Sequence, residues 1–448
     1  MAVSLAHWES RKAANERSYD QSQQVGGKAC LAPYASRETG ELMEIRTLRP
    51  DEIDRFVELG HYAFNGRPPE NRSLDFERRL DPQRHVLVLT DGSDIISQVA
   101  IYPFDLWFAG SRLPAGGLAN VATVPEMARR GYASTLLSAA IKWMREELGL
   151  CVSTLYPTVY PLYNQLGWEL AEEAQRLVSV PAAFRPSSLL PSDSGGRVVR
   201  RTAEPGDVDQ LEPVYRRFAE PRSGYLDRPR WYWEDMVLRH SFGSQPRYLA
   251  LWYDSAGELG GYALYAAEQL PERRLRIYEV VSLHPEGYHA LLSFFAAHHL
   301  YQEIELTAGR DVAWEAMVAD PHQLRIDRRL RGHFLLRIVD LPQVITRRVV
   351  PSPGGISNLV LAVTDSSAPW NAGVWKIGQQ DGRWTCKTSS NREPDATLDI
   401  RTFAALFAGA LSVRQAIDLG RLTATASSHA TLEVLFATNY PPHSNDHF

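Results

Sequence analysis

The hydrophobic pattern divides the chain into three stretches, and the first two repeat one another. From Glu44 it predicts a short strand, an amphipathic helix over residues 51–59, and strands around residues 85–89 and 95–104. A further strand over 117–124 runs through Gly131 into a helix reaching residue 148, with Leu136, Leu137 and Ala140 on its apolar face. Residues 150–155 are short, apolar and bounded by Gly149 and Pro157, which predicts a buried strand. From about Arg197 to His333 the same order returns: a helix over 207–218, strands over 248–252 and 260–266, a strand through Val281, a helix carrying Leu291, Leu292 and Phe295, and a strand over 303–307. The third stretch changes character, with strands at 359–363, 374–378 and 397–400, helices over 402–411 and 412–419, and a proline-containing tail; it reads as α+β.

These patterns place a leader at residues 1–42, polar and without periodicity, and then units at 43–182, 197–334 and 335–448. Residues 182–196, rich in Pro, Ser and Gly, read as a linker between the first two.

The two repeats differ at one turn. The first reads Val121-Ala122-Thr123-Val124-Pro125-Glu126-Met127-Ala128-Arg129-Arg130-Gly131-Tyr132, and the second Val281-Ser282-Leu283-His284-Pro285-Glu286-Gly287-Tyr288. Both give strand, Pro-Glu, Gly-Tyr and helix, but only the first has the insertion Met127 to Arg130. A strand turning through glycine into a helix leaves the helix's first N–H groups aimed into the turn, where the helix dipole favours an anion. Arg129 and Arg130 add charge, and Gly131 admits close backbone approach. A pyrophosphate fits such a turn; so does an ordinary strand-to-helix connection with two solvated arginines.

Composition narrows the classes. At 448 residues, 44% hydrophobic and 23% charged, the chain has room for several globular cores. A formal charge of -5 argues against a non-specific nucleic-acid binder. Cys30, Cys151 and Cys386 form no CxxC pair, and no HExxH, GxSxG or Walker-type motif occurs. Neighbouring His298 and His299 cannot share a helix face, and His443 and His447 would do so only in a helix that Pro441 and Pro442 disfavour, so no metal site is expected. With no apolar run long enough to cross a bilayer and no signal-like start, the expectation is a cytoplasmic protein without membrane partners.

After the buried strand comes Tyr160-Pro161-Leu162-Tyr163-Asn164-Gln165-Leu166-Gly167-Trp168, a short helix stopped by glycine that carries the phenol of Tyr163. A phenol can donate a proton to a departing thiolate, and it can equally pack in a core. Together, the strand-turn-helix, the buried strand and Leu-Tyr-x-x-x-Gly-Trp resemble the acetyl-CoA core of the GNAT superfamily of N-acetyltransferases. That superfamily's phosphate loop, Gln/Arg-x-x-Gly-x-Gly/Ala, falls on Ala128, Gly131 and Ala133, of which Ala128 departs. With a degenerate second copy and a third unit carrying Pro369-Trp370-Asn371-Ala372-Gly373-Val374-Trp375, Pro394-Asp395-Ala396-Thr397-Leu398-Asp399 and a terminal phenylalanine, the chain resembles the Eis (enhanced intracellular survival) family.

The resemblance implies a mixed αβ architecture: an active GNAT fold, a degenerate one, and a sterol-carrier-protein-like α+β domain. It implies that Val121, Ala122 and Thr123 present backbone to the acetyl-pantetheine arm, that Arg129, Arg130, Gly131, Tyr132, Ala133 and Ser134 hold the pyrophosphate, and that Thr158, at the start of the short helix, touches acetyl-CoA. It implies Tyr163 as general acid and the terminal α-carboxylate of Phe448 as general base. The implied reaction is direct acetyl transfer in a ternary complex to a small polycationic amine of the aminoglycoside type, in a homohexamer. A protein or peptide lysine acceptor, or a lipid-binding scaffold, are the alternatives.

Overall fold

The computed structural model describes residues 34–35, 42–64, 80–172, 174–192, 195–239, 246–268, 273–327, 334–349, 358–389 and 393–448. The leader expected at 1–42 lies outside them, except that Tyr34–Ala35 pairs antiparallel with Leu42 and Met43.

A long hairpin dominates the first sheet. Strands Asp94–Phe108 and Ser111–Thr123 are joined by Ala109 and Gly110, both at positive φ (47° and 85°), the two-residue turn whose twist matches paired strands. Helix Ile53–Phe64 packs on one face through Phe56, and helix Tyr132–Glu146 covers the other with Leu136, Leu137, Ala140 and Ile141. The predicted elements of the second and third stretches form a seven-stranded and a five-stranded sheet.

The sheets borrow strands across the boundaries drawn from sequence. Ala174–Ser179, written in the first unit, lies in the second sheet between Glu303–Gly309 and Arg325–Asp327. Leu335–Ile338, written in the third, enters the first sheet between Val152–Leu155 and Glu169–Leu170. Ser223–Leu226 pairs with Asp94–Phe108. Hydrophobic pattern locates a strand but not its partner, so cuts at 182 and 334 pass through sheets. The stretch read as a linker opens on a short helical turn, Pro181–Phe184, whose Ala183 and Phe184 are buried with the second sheet's core. Its proline suits a first helical turn as well as a linker.

The third unit packs on the first sheet. Helix Ile400–Ala408 starts on an Asp399 side-chain cap and ends at Gly409 (φ 88°). Phe407 meets Phe108 of the first sheet at 5.3 Å. Arg337, wholly buried in the borrowed strand, donates from Nη2 to both Asp365 carboxylate oxygens at 2.8 and 2.7 Å. Asp365→Ala would leave that guanidinium uncompensated, at a cost of about 3–5 kcal/mol. Denaturant unfolding should find the double variant Arg337→Met with Asp365→Ala more stable than the single one; the opposite order would refute this account of the pair.

Candidate active site

In the first sheet Ala115, Gly116 and Gly117 pair in parallel with Val152, Ser153 and Thr154. The pairing then stops: Ser111–Thr123 continues beyond Gly117, while Val152–Leu155, paired along its other edge with Leu335–Ile338, ends one residue after Thr154. Against the hairpin partner, register jumps from Ala100↔Ala119 to Gln98↔Ala122, so Asn120 (φ 52°) and Val121 both oppose Val99. Such a bulge bends the strand and deepens the fork. Val121, Ala122 and Thr123 line its far limb, and the Ser97 and Thr123 hydroxyls hydrogen-bond at 2.9 Å.

The insertion Met127 to Arg130 forms a loop at the end of that limb, with Met127 half-buried against the core and Ala128 to Arg130 exposed. Pro125–Met127 makes one short turn, Arg129 sits at φ 63° and Gly131 at φ 89°, and helix Tyr132–Glu146 begins with no side chain capping it. The first helical bond, Thr135 N–H to Gly131 carbonyl, leaves the amides of Tyr132, Ala133 and Ser134 directed out of the helix end. The space beside the Gly131 α-carbon is open, so these donors face a place where a phosphate can come close. Arg129 and Arg130 are exposed beside it, and the Ser134 hydroxyl accepts from Gln165 at 3.1 Å. This donor set fits a pyrophosphate.

Helix Tyr160–Asn164 ends as glycine predicts: Gly167 (φ 97°) donates to Asn164 and Trp168 donates to Tyr163, the paired bonds of a left-handed C-cap. Tyr163 is buried, edge-on to Trp168 at 6.2 Å, and burial pushes its phenol up to about 12. Thr158 is exposed in the loop ahead of the helix, whose cap position is Val159, rather than at the helix start.

The tail returns to the first unit. The Phe448 ring lies over Gly117, where the strands part, and touches Phe104 at 5.3 Å and Tyr156 at 5.9 Å. Tyr156 donates to the Asp446 carbonyl at 2.6 Å, and Tyr232 donates to the His447 carbonyl at 2.9 Å. The Asp446 carboxylate accepts from Arg228 at 2.7 Å, and His443 meets Glu172 at 2.8 Å. Burial disfavours the charged imidazole, but Glu172 outweighs it and raises the pKa of His443. None of Tyr156, Glu172, Arg228 or Asp446 follows from the spacing of local motifs, because each partner is far away in sequence. Gly117, a glycine inside a strand, was the available signal for a close approach.

In the second copy the turn is shut. Ser282 Oγ accepts from the His284 amide ahead of helix Pro285–Ala296, and a side chain at Gly287 would run into Ser282 and Trp252. Among the described residues, no group of His, Cys, Asp or Glu is arranged to hold a metal ion, and no helix is long and apolar enough to cross a membrane.

Comparison with known proteins assigns the three units to domain families. Residues 44–171 and 224–338 each match a family described as an acetyltransferase (GNAT) domain, and 341–445 match a sterol carrier protein domain. An uncharacterised N-acetyltransferase of Streptomyces coelicolor is 26% identical over 89% of this chain and 98% of its own length. The N-acetyltransferase Eis of Mycobacterium bovis BCG is 23% identical, over 81% and 89%. A GCN5-related N-acetyltransferase of Anabaena variabilis superimposes with TM-score 0.79 at 20% identity, and Eis1 of Mycobacterium abscessus with 0.74 at 21%, each over 91% of this chain and 100% of theirs. With one open strand-to-helix turn, one closed copy and a sterol-carrier-type domain after them, the chain is an N-acetyltransferase of the Eis-like GNAT family.

Proposed function

We propose that the chain transfers acetyl from acetyl-CoA directly to a primary amine of a small polycationic acceptor of the aminoglycoside type, with the Phe448 α-carboxylate as base and Tyr163 as acid. The observation that carries this reading is the Phe448 ring seated on Gly117, at the point where the two strands part. The amides of Tyr132 to Ser134 would bind pyrophosphate, and the limb Val121 to Thr123 would orient the pantetheine arm. Bound there, acetyl-CoA supplies an activated thioester. The Phe448 carboxylate takes a proton from the ammonium, directly or through water, and a backbone N–H near Thr123 meets the charge developing on the carbonyl oxygen. As the C–S bond breaks Tyr163 gives its proton to the sulfur, the second proton shed by the nitrogen as it becomes an amide restores the phenol, and the first leaves the carboxylate for solvent. Phe104 packs on the Phe448 ring and is itself flanked by Trp231 and Tyr232, an aromatic cluster that suits a cationic acceptor. The lipid-scaffold reading has less support, because Phe403, Phe407 and Phe436 pack ring against ring inside the third unit.

Turnover with acetyl-CoA should be seen with an aminoglycoside and be much slower with a lysine peptide; the reverse preference would move the acceptor to proteins. Incubation with acetyl-CoA alone should give no acetylated enzyme by mass spectrometry, and a stable adduct would exclude direct transfer. Tyr163→Phe should lower kcat more than acetyl-CoA affinity. Since burial pushes the phenol up to about 12, it stays protonated at every ordinary pH, and the wild-type rate should rise as the base deprotonates and then stay level. A fall in rate between pH 8 and 10, absent in Tyr163→Phe, would contradict that.

A further inference from the structure

We propose that the strand fork of the second copy, shut off from coenzyme, serves as a socket for the chain's own residues 443–446, and that Arg228 is a positioning residue for the terminal carboxylate. The proposal rests on the reading of that carboxylate as the base. In the second copy, parallel pairing of Arg274 to Ile277 with Glu303 to Leu306 stops, yet the strands run on to Ser282 and Gly309. This is the geometry that forms the fork in the first copy, but here the tail enters it. His443 and Asn445 join Glu279, Thr307 and Gly309 around one small cavity. Gly309 leaves the room: a β-carbon there would run into the Asp311 carboxylate and into His443.

The socket is tied to the active fork by one strand. Along Ser223–Leu226 the tail is held at both ends, His443 N–H to the Ser223 carbonyl at 3.0 Å and Leu226 N–H to the Asp446 carboxylate at 3.3 Å. The same strand pairs with Asp94–Phe108, whose Phe104 touches Phe448. Arg228, two residues on and almost fully buried, binds Glu279 through both terminal nitrogens at 3.1 and 2.5 Å, and turns its remaining Nε to Asp446 at 2.7 Å. The Tyr215 and Trp233 rings cover it at 3.9 and 4.7 Å. Glu279 alone would neutralise Arg228, so the second carboxylate serves to hold the tail. Only His447 separates Asp446 from Phe448, and a chain step spans at most about 3.6 Å, so fixing Asp446 confines the carboxylate. The duplicated fold thus keeps its second fork to aim the end of the chain into the first.

Asp446→Asn preserves shape and chain length, and Gly309→Ala adds one methyl where His443 lies; both are to be made in the full chain. Each should lower kcat roughly a hundredfold, the loss typical of a reacting group displaced by about 1 Å. Acetyl-CoA affinity by calorimetry should stay unchanged, and carboxypeptidase should remove Phe448 faster than from wild type. Wild-type kcat in both variants, while a residue added after Phe448 abolishes transfer, would overturn the socket and leave the base standing. If the added residue is harmless too, the base falls and the proposal with it. Loss of acetyl-CoA affinity in step with kcat in both variants would also overturn it, since that marks a purely structural role.

Discussion

Adding one glycine after Phe448 should lower kcat by about two to four orders of magnitude, the range a positioned general base contributes, and leave acetyl-CoA binding intact. The addition converts the carboxylate at Phe448 into a neutral amide and moves the nearest charge by up to about 3.6 Å. It leaves the tail's buried contacts, Asp446 with Arg228 and Tyr156 with the Asp446 carbonyl, where they were. The phosphate turn lies on another element and senses none of this. Phe448→Leu is the control, because it keeps the carboxylate and a large apolar anchor and should lose far less. The measurement pairs steady-state acetyl transfer with calorimetric titration of acetyl-CoA. Unchanged turnover after the addition would remove Phe448 from the chemistry and require another base within reach of the fork.

The part of this site legible in the sequence is the part built from neighbours. Gly131 and Arg129 have the φ values, 89° and 63°, that a looped turn into an uncapped helix requires, and Met127 to Arg130 mark the open copy without any structure. The helix stop at Gly167 was likewise written locally, as its two closing hydrogen bonds show. What could not be read is pairing over distance. Leu335–Ile338 has the pattern of any buried strand, and nothing in it says that it completes the first sheet. Arg228, Glu279 and Asp446 are three unremarkable charged residues until the fold brings them together. The resemblance supplied the role of the terminal carboxylate; what secures the tail lay in side chains no motif connects. The proposed phosphate turn is a local device, whereas the proposed base comes from the far end of the chain and depends on all three units being assembled.

That dependence can be tested at the point of contact. A β-carbon at Gly117 would stand 2.5 Å from Phe448 Cε2 and 2.8 Å from Cδ2, closer than side chains approach. The ring has no easy escape, since Phe104 and Tyr156 flank it at 5.3 and 5.9 Å. Gly117→Ala should therefore expel the ring and lower kcat roughly a hundredfold. The strand itself loses nothing, because alanine is better tolerated than glycine within regular structure, so the melting temperature should hold or rise slightly. The double variant separates this from a general disturbance. Phe448→Ala retains the carboxylate on an unanchored end and should be slow alone, but once the ring is gone the alanine at 117 meets nothing. If ring and strand share one seat, Gly117→Ala costs little further in the Phe448→Ala background, and the two mutations are coupled by about 1–3 kcal/mol in the transition-state free energy. Simple additivity would mean that the ring does not rest on Gly117 during turnover, and the carboxylate would have to reach the amine from somewhere else.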